Sequence, residues 1–465
     1  MIRLLKFWLL VGIGWAGIWM GVSSYENYFK NGDGFFGAIN INILFKYIGW
    51  FLGVLLLLTF GLKSKVNWLL NLTISVTSFF FFLLVSELIC LILIRFNLVE
   101  VAKPFHSRLL LFEGWTSPKR PFWGDYSREF GSWSLPNDSL VIVPCHGDTL
   151  NMRTNSFGMR DKERTPTKTK QQKRVLMMGD SFVEGNIVND TSRHSDLLEK
   201  KTQIEHLNFG TKGTSAINYY LTYKHLAKKF EHDVVMVCLL PANDFEDYTP
   251  DVKAGLLKYP IYRPYWEGTF PDVLVKYSLA DISQSLATFQ NHNNPIRTYY
   301  TVDSIYRTLP LKQQIWSEIT LNSYLYNCVF SLASKFANQK RMPINSFGKE
   351  LFEKRWDAFA YSLEQLAKEA KGKDVIFYAV PIVSDLKVYH QSKVDDLSPR
   401  IASLCRKYNI TYINLLPAFY AAGPSNWDKL YEPCDGHWTP AGERLTAAAL
   451  MKHPAYRKAI GLTKP

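Results

Sequence analysis

Three long apolar stretches in the first hundred residues constrain this chain more than any other feature of its sequence. They cover residues 7–25, about Ile41–Leu62 and residues 66–94. Each is long enough to cross a hydrocarbon layer of about 30 Å as a helix. A cleaved signal peptide is the alternative for the first stretch, but no small-x-small cleavage site follows it before Ser23. We therefore predict a three-span transmembrane anchor in residues 1–95.

Basic residues beside these spans predict how the anchor is oriented. Arg3 and Lys6 precede the first span, and Lys63 and Lys65 lie in the short turn between the second and third. Lys and Arg near span ends stay predominantly on the cytoplasmic side of a membrane. Three crossings from a cytoplasmic N-terminus deliver the chain after about residue 95 to the extracytoplasmic side, in the periplasm or at the cell surface.

Two ionisable residues interrupt the second and third spans. Lys46 lies a few residues inside the outer end of the second span, and Glu87 lies about 11 Å inside the outer end of the third at helical rise. Ionisable residues within spans usually face protein or a cavity instead of lipid. A Lys46–Glu87 ion pair is one expectation, and Lys46 extending alone to the interface is the other.

The composition narrows the class of protein further. Hydrophobic residues make up 47 % of the chain and charged residues 20 %, which excludes a disordered protein. The formal net charge is +13, most of it after the spans, which suits an anionic surface such as lipid headgroups or an acidic polysaccharide. The predicted external location and the lack of a binding motif argue against nucleic acid. The six cysteines form no CxxC pair, which gives no support to a zinc or thioredoxin-like site, and the chain has no Gly-x4-Gly-Lys phosphate loop. We expect neither a metal nor a cofactor.

The remainder of the chain divides into a connecting region and a larger domain. Residues 96–173 form the connecting region, which contains one short predicted strand at residues 139–143. In residues 174–465, strand patterns alternate with helix patterns. This alternation predicts a parallel sheet covered on both faces. An insertion at about residues 246–350 is too long for a simple connection. Within it, residues 259–266 are rich in aromatics and prolines, and residues 321–336 predict an amphipathic core helix.

Residues suited to nucleophilic catalysis follow successive predicted strands. Ser181 offers a hydroxyl, Gly213 a backbone N–H, Asn243 an amide, and Asp435 and His437 a carboxylate and an imidazole two positions apart. Each is ordinary in a turn when taken alone. Together they supply the nucleophile, the base, the orienting group and the oxyanion donors that serine chemistry requires.

The segments around these residues resemble the SGNH (GDSL-like) family of hydrolases and acyltransferases. The four matching blocks are Gly179-Asp-Ser-Phe182, Gly210-Thr-Lys-Gly213, Pro241-Ala-Asn-Asp244 and Asp435-Gly-His-Trp-Thr-Pro-Ala-Gly442. They appear in the family's order and cover about residues 174–245 and 372–452. Pro241 stands where the family often has Gly, and Phe182 where its namesake motif has Leu; neither change removes a catalytic atom.

The resemblance implies a flavodoxin-like α/β/α sandwich and a role for each site residue. Ser181 would be the nucleophile, His437 the general base and Asp435 the group that orients His437. The backbone N–H groups of Ser181 and Gly213, together with the Asn243 side chain, would form the oxyanion hole. All of these positions are present in the chain.

Three functions fit this interpretation. The first is an extracytoplasmic O-acyltransferase that moves an acyl or acetyl group onto a cell-envelope glycan through an acyl-serine. The second is a membrane-tethered esterase or lipase that uses the same residues. The third is a non-catalytic assembly or glycan-binding protein that keeps the fold. For the first, we expect as partners an acyl ester donor, a glycan or lipid acceptor, the lipid bilayer and a membrane protein that supplies acyl chains.

Overall fold

The chain forms two compact units in the computed structural model. The first comprises residues 1–120, 251–260 and 288–341, and the second comprises residues 121–250, 261–287 and 342–465. The structure describes residues 2–29, 35–36, 39–62, 67–96, 98–99, 124–127, 129–142, 149–168, 172–245, 263–277, 307, 309–339, 345–433 and 435–462. The two units divide the chain differently from the sequence-based boundaries: residues 121–173 join the second unit, and much of the insertion joins the first.

Three helices of the first unit are long and apolar enough to cross a membrane, as predicted. They are α1 (Ile2–Phe29), α2 (Ile41–Leu62) and α3 (Asn67–Arg95), with a two-residue strand pair, Phe35–Phe36 and Ile39–Asn40, before α2. Large apolar side chains such as Leu57 and Phe82 are exposed on their outer surfaces. Apolar exposure on every side is typical of helices whose solvent is lipid.

Within the described residues, two further helices of the first unit come from the insertion. Helix α4 spans Leu311–Asn322 and helix α5 spans Tyr324–Gln339. The single helix predicted over residues 321–336 is therefore wrong at its start. Ser323 has extended backbone dihedrals, and its hydroxyl oxygen accepts a hydrogen bond from the Tyr326 N–H at 2.9 Å. A serine in this position is a typical N-cap, which ends one helix and begins the next.

The predicted Lys46–Glu87 ion pair is wrong. Lys46 Nζ instead lies 2.5 Å from Glu318 Oε1 on α4. The Glu87 carboxylate accepts hydrogen bonds from the Tyr324 N–H at 2.7 Å, from the Leu325 N–H at 3.0 Å, and from the Ser323 hydroxyl. Because the first N–H groups of a helix have no partner within it, a carboxylate at this end is strongly favoured. Both ionisable residues of the spans thus bind helices of the insertion.

We expect Glu87→Gln to destabilise the first unit. Hydrogen bonds to a charged group are worth about 1.5–3 kcal/mol each, and the carboxamide keeps one acceptor oxygen while losing the charge. We predict a loss of about 2 kcal/mol, seen as a lower unfolding temperature of the full chain in detergent. The same substitution at Glu267, which is exposed and 3.8 Å from Lys276, is the matched control. Equal unfolding temperatures for the two variants would contradict this assignment.

A five-stranded parallel sheet forms the centre of the second unit. Its strands are β1 (Arg174–Gly179), β2 (Glu205–Gly210), β3 (Val234–Leu239), β4 (Asp374–Ala379) and β5 (Thr411–Asn414). The order is β2-β1-β3-β4-β5, and every neighbouring pair is parallel. This is the flavodoxin-like order. Every residue of β1 and β3 is buried, as expected for strands covered on both faces.

Helices complete the sandwich around this sheet. The helices and 3-10 turns are Ser181–Glu184, Asp190–Ser192, His194–Thr202, Ala216–His225, Ala227–Lys229, Pro241–Asp244, Lys349–Phe352, Glu353–Arg355, Trp356–Glu369, Val383–Ser392, Leu397–Lys407, Leu416–Tyr420, Pro424–Leu430, Pro440–Lys452 and Pro454–Ala459. Helix Ala216–His225 packs on Trp356–Glu369, and Pro440–Lys452 packs on His194–Thr202. The predicted flavodoxin-like α/β/α sandwich is confirmed, with its three-span anchor.

Three antiparallel strand pairs also belong to the second unit. They are Gly124–Ser127 with Gly131–Ser134, Ser139–Ile142 with Leu150–Arg153, and Pro264–Thr269 with Asp272–Tyr277. Phe130 and Trp133 are buried in the same hydrophobic core as the central sheet, and Asn218 Nδ2 donates to the Phe130 carbonyl at 2.9 Å. The segment predicted to be a connection therefore packs onto the core of the central sheet.

Candidate active site

Ser181 lies at the carboxyl end of the central strand β1. Gly179 is the last strand residue, and Ser181 begins the short helix Ser181–Glu184. The Asp180 carboxylate caps this helix by accepting a hydrogen bond from the Phe182 N–H at 2.9 Å. Strand β1 neighbours β3 at the point where the strand order reverses, and open parallel sheets bind ligands outside that point. The sharp strand-to-helix turn leaves Ser181 8 % exposed.

A tight turn before helix Pro440–Lys452 carries Asp435 and His437. The Gly436 N–H donates to the Glu432 carbonyl at 2.7 Å, and the Glu432 N–H donates to the His437 carbonyl at 2.8 Å. Gly436 has φ of +83°, a left-handed conformation that glycine adopts without strain. The turn therefore presents Asp435 and His437 side by side, as their spacing in the sequence predicts.

The structure brings the serine, histidine and aspartate side chains together in one relay. His437 Nε2 lies 2.7 Å from Ser181 Oγ, and His437 Nδ1 is hydrogen-bonded to Asp435 Oδ1. The nucleophile and base come from segments 256 residues apart in the chain. One ring nitrogen of His437 thus faces the hydroxyl while the other is held by a carboxylate, which is the arrangement that serine nucleophiles require.

Electrostatics around His437 favour its protonated form. Burial lowers the pKa of His437, but the hydrogen bond that its Nδ1 donates to Asp435 and the charge of that carboxylate raise it more. The charges of Asp180 and Glu184 act in the same direction, so the pKa lies above its usual 6.5. A base with a raised pKa accepts a proton from a hydroxyl more readily, provided that it is neutral when the reaction begins.

Gly213 lies on the loop after β2 with a φ of +68°. The guanidinium of Arg263 lies beside it, with Nη2 2.9 Å from the position that a Cβ atom on Gly213 would occupy. Among the described residues, the backbone N–H groups of Gly213 and Ser181 have no hydrogen-bond acceptor. These N–H groups are therefore open to a ligand, and a buried cation lies next to one of them.

Asn243 lies close to the other predicted site residues, but its amide is already engaged. Its Nδ2 donates to Asp180 Oδ2 at 3.0 Å and to the Thr214 carbonyl at 3.3 Å. Both amide hydrogens point at protein acceptors, so in this arrangement Asn243 holds the Asp180 carboxylate and the loop after β2. Its role as an oxyanion donor stays a prediction, and that role requires the amide to turn away from one of these acceptors.

Three residues that surround the relay have no role in the sequence interpretation. Burial raises the pKa of the Asp180 carboxyl, while hydrogen bonds from Phe182 and Asn243 oppose that shift. The Phe182 ring lies 5.1 Å from the His437 ring and 4.8 Å from the Trp438 ring, so it restricts how the imidazole can rotate. Asp180 and Phe182 lie within the first block, where their roles could have been inferred. Arg263 lies in the aromatic, proline-rich stretch and has no motif to mark it.

The sheet order, the four blocks at its carboxyl edge and the Ser181–His437–Asp435 relay agree with the fold and the site that the SGNH resemblance implies. No protein-family model matches the chain, and no curated protein matches it in sequence. Solved structures do resemble it in fold.

Three of these structures illustrate the likeness. A lipolytic protein of the G-D-S-L family from Veillonella parvula is 10 % identical, covering 60 % of this chain and 97 % of its own, with a TM-score of 0.29. A lipase/acylhydrolase from Enterococcus faecalis is 13 % identical (63 % and 98 % covered, TM-score 0.31). A catalytic mutant of an acetylxylan esterase from Geobacillus stearothermophilus is 10 % identical (62 % and 94 %, TM-score 0.30). Because these sequence identities and TM-scores are low, the likeness to the SGNH fold is judged from the sheet order and the relay.

Proposed function

We propose that this protein is a membrane-anchored serine acyl-transfer enzyme that O-acylates a cell-envelope glycan through an acyl-Ser181 intermediate. The observation that supports this function is the relay itself, in which His437 Nε2 lies 2.7 Å from Ser181 Oγ and Nδ1 is bound to Asp435. A non-catalytic protein has no need to keep a nucleophile, a base and an orienting carboxylate in contact.

The geometry supports a two-step mechanism. Ser181 Oγ attacks the carbonyl carbon of the donor ester while His437 Nε2 takes the hydroxyl proton, and the carbonyl electron pair moves onto oxygen. The N–H groups of Ser181 and Gly213 stabilise this oxyanion, each worth about 3 to 4 kcal/mol of barrier. Collapse expels the alcohol, which receives the proton from His437. An acceptor hydroxyl then loses its proton to His437 and attacks the acyl-serine. The bond between the acyl carbon and Ser181 Oγ breaks, and His437 returns the proton to Oγ.

The charge of Arg263 adds to oxyanion stabilisation. Its guanidinium lies beside Gly213 and is buried, so water screens it weakly. A fixed positive charge near developing negative charge lowers the barrier without further reorganisation. Arg263 is therefore proposed as an electrostatic contributor in addition to the two backbone donors.

The anchor favours a transferase over a free esterase. Basic residues flank the first span and the α2–α3 turn on one side, which supports a catalytic unit on the extracytoplasmic side. Acyl donors for that side of a membrane have to be delivered through or along the bilayer. A polytopic anchor keeps the chain next to such a donor, whether it is a lipid or an acyl group supplied by a partner membrane protein.

Product analysis tests the proposal. The purified full chain is supplied with a radiolabelled acetyl ester and an increasing concentration of an oligosaccharide acceptor. We expect label on the oligosaccharide, rising with acceptor concentration at the expense of free acetate. Free acid alone at a saturating acceptor concentration would make the protein an esterase or lipase. Failure of a serine-reactive phosphonate to label Ser181 would instead favour the non-catalytic alternative.

The Asp435→Asn variant should change the pH dependence of the reaction. His437 acts as a base only when neutral, so activity rises with pH through its pKa, which lies above 6.5 in the wild type. Removing the carboxylate removes the main interactions that raise this pKa, so the rising limb moves to lower pH. The plateau also falls, by up to about 10⁴-fold, because the imidazole loses its orientation. A pH profile of kcat/KM measures both changes, and an unmoved limb would contradict the role of Asp435.

A further inference from the structure

The two insertion helices of the first unit expose an unusual amount of apolar surface. On α4, the side chains of Leu311, Ile315, Trp316 and Ile319 are 42–72 % exposed and share one face at helical spacing. On α5, Val329, Phe330 and Leu332 are 46–57 % exposed. The apolar face of the helix predicted over residues 321–336 is therefore only partly buried. The rings of Trp316 and Phe330 both contact the Tyr326 ring, so the two sets adjoin. An exposed apolar surface of this kind marks a binding face for protein or lipid.

The polar ends of the two helices bind the membrane spans. Glu87, which caps α5, lies seven residues before Ile94, the last residue of its span, or about 11 Å along the helix. Lys46, which pairs with Glu318 on α4, lies five residues after the start of α2, or about 8 Å along it. Helix α5 packs along α3, with Cys328 Sγ 4.0 Å from the Cys90 carbonyl oxygen. The turn at Ser323 therefore lies at the depth of the spans.

The lengths of the helices exclude a full crossing. Helix α4 has 12 residues and α5 has 16, whereas a span needs about 20. A non-helical turn inside a bilayer is tolerated only where protein satisfies its backbone polar groups. At this turn the Glu87 carboxylate accepts the N–H groups of Tyr324 and Leu325, and Ser323 accepts those of Tyr326 and Asn327. The third span thus supplies a hydrogen-bond acceptor for the backbone N–H groups of a turn that lies inside the bilayer.

We propose that α4 and α5 form a re-entrant hairpin that enters the bilayer from the side on which α3 ends at Arg95, with lipid acyl chains covering its exposed apolar face. Lipid is the occupant because α5 packs along α3, whose own outer side chains are apolar and exposed. This inference is independent of the catalytic activity.

Photo-cross-linking in a bilayer tests the hairpin. p-Benzoylphenylalanine is placed singly at Trp316 and Phe330 of the full chain, reconstituted in phosphatidylethanolamine–phosphatidylglycerol nanodiscs. Phe51, exposed on a span, is the lipid-facing control, and Asp428, exposed in the second unit, is the water-facing control. Both test positions replace an exposed aromatic ring with another and leave the buried contacts intact.

We expect lipid adducts at Trp316 and Phe330 in yields within about twofold of Phe51 and at least fivefold above Asp428, read by mass spectrometry. Adduct yields no higher than at Asp428 would show a hairpin in water and overturn the proposal. Cross-links from either position to a second polypeptide, in place of lipid, would also overturn it. A change in acyl transfer has no bearing on these readouts.

Discussion

Replacing Ser181 with alanine should lower acyl transfer by on the order of 10⁴-fold or more. The variant keeps the fold but has no oxygen to form the acyl-serine, and removing the nucleophile of a relay forfeits most of what the whole relay contributes. The relay is already in contact, with 2.7 Å between Ser181 Oγ and His437 Nε2. Steady-state kinetics with a chromogenic acetyl ester measures the loss.

Ser425→Ala is the matched control for this prediction. Ser425 lies exposed in helix Pro424–Leu430 and makes no hydrogen bond to Ser181, Asp435 or His437, so we expect unchanged kinetics. A fluorescent phosphonate should label the wild type and the Ser425 variant but not the Ser181 variant. Undiminished turnover or labelling without the Ser181 hydroxyl would remove the basis for the proposed mechanism.

Gly210→Ala should be among the most destabilising single substitutions in the second unit. A Cβ atom at Gly210 would lie 2.3 Å from the backbone nitrogen of Glu184 and 2.6 Å from the carbonyl carbon of Val183. These are backbone atoms of the helix that begins at Ser181, so no side-chain rotation relieves the overlap. We predict a loss above about 3 kcal/mol, which is a fall in unfolding temperature of roughly 10 °C, accompanied by loss of activity.

A second glycine separates steric overlap from backbone strain. Gly372 has φ of +88° with nothing within 4 Å of its would-be Cβ. Gly372→Ala should therefore cost only about 1 kcal/mol, from the left-handed backbone. Differential scanning calorimetry of both variants in detergent makes the comparison. Equal unfolding temperatures for the two variants would show that helix Ser181–Glu184 does not pack tightly against Gly210 of β2.

The sheet and the relay could be predicted because their signals are local. Parallel strands buried on both faces appear as short apolar runs, and every residue of β1 and β3 is buried. Polar residues directly after such runs meet at one edge of the sheet. The spacing of Asp435 and His437 is short enough to predict that they touch.

Other features could not be predicted because they depend on pairings between distant segments. Glu87 and its partners at residues 323–325 are about 236 residues apart, and Lys46 and Glu318 are 272 apart. No sequence periodicity relates such distant positions. The sequence therefore suggested that Lys46 and Glu87, two span residues of opposite charge, would pair with each other. Arg263 likewise reaches Gly213 only through the tertiary fold. The Asn243 amide donates a hydrogen bond to Asp180 because a buried carboxylate is stabilised by hydrogen-bond donors. The sequence motif does not show that Asp180 is buried next to Asn243.

The capping of α5 by Glu87 limits how this protein can be shortened for biochemistry. A fragment starting after Arg95 would lack Glu87 and Lys46 while retaining residues 311–339. Such a fragment would carry apolar helices that have lost the carboxylate capping α5 and the ion partner of Glu318, and we expect it to aggregate in aqueous buffer. Excising that segment together with the spans, with a short glycine–serine linker closing the gap, is the more promising route to a water-soluble catalytic core.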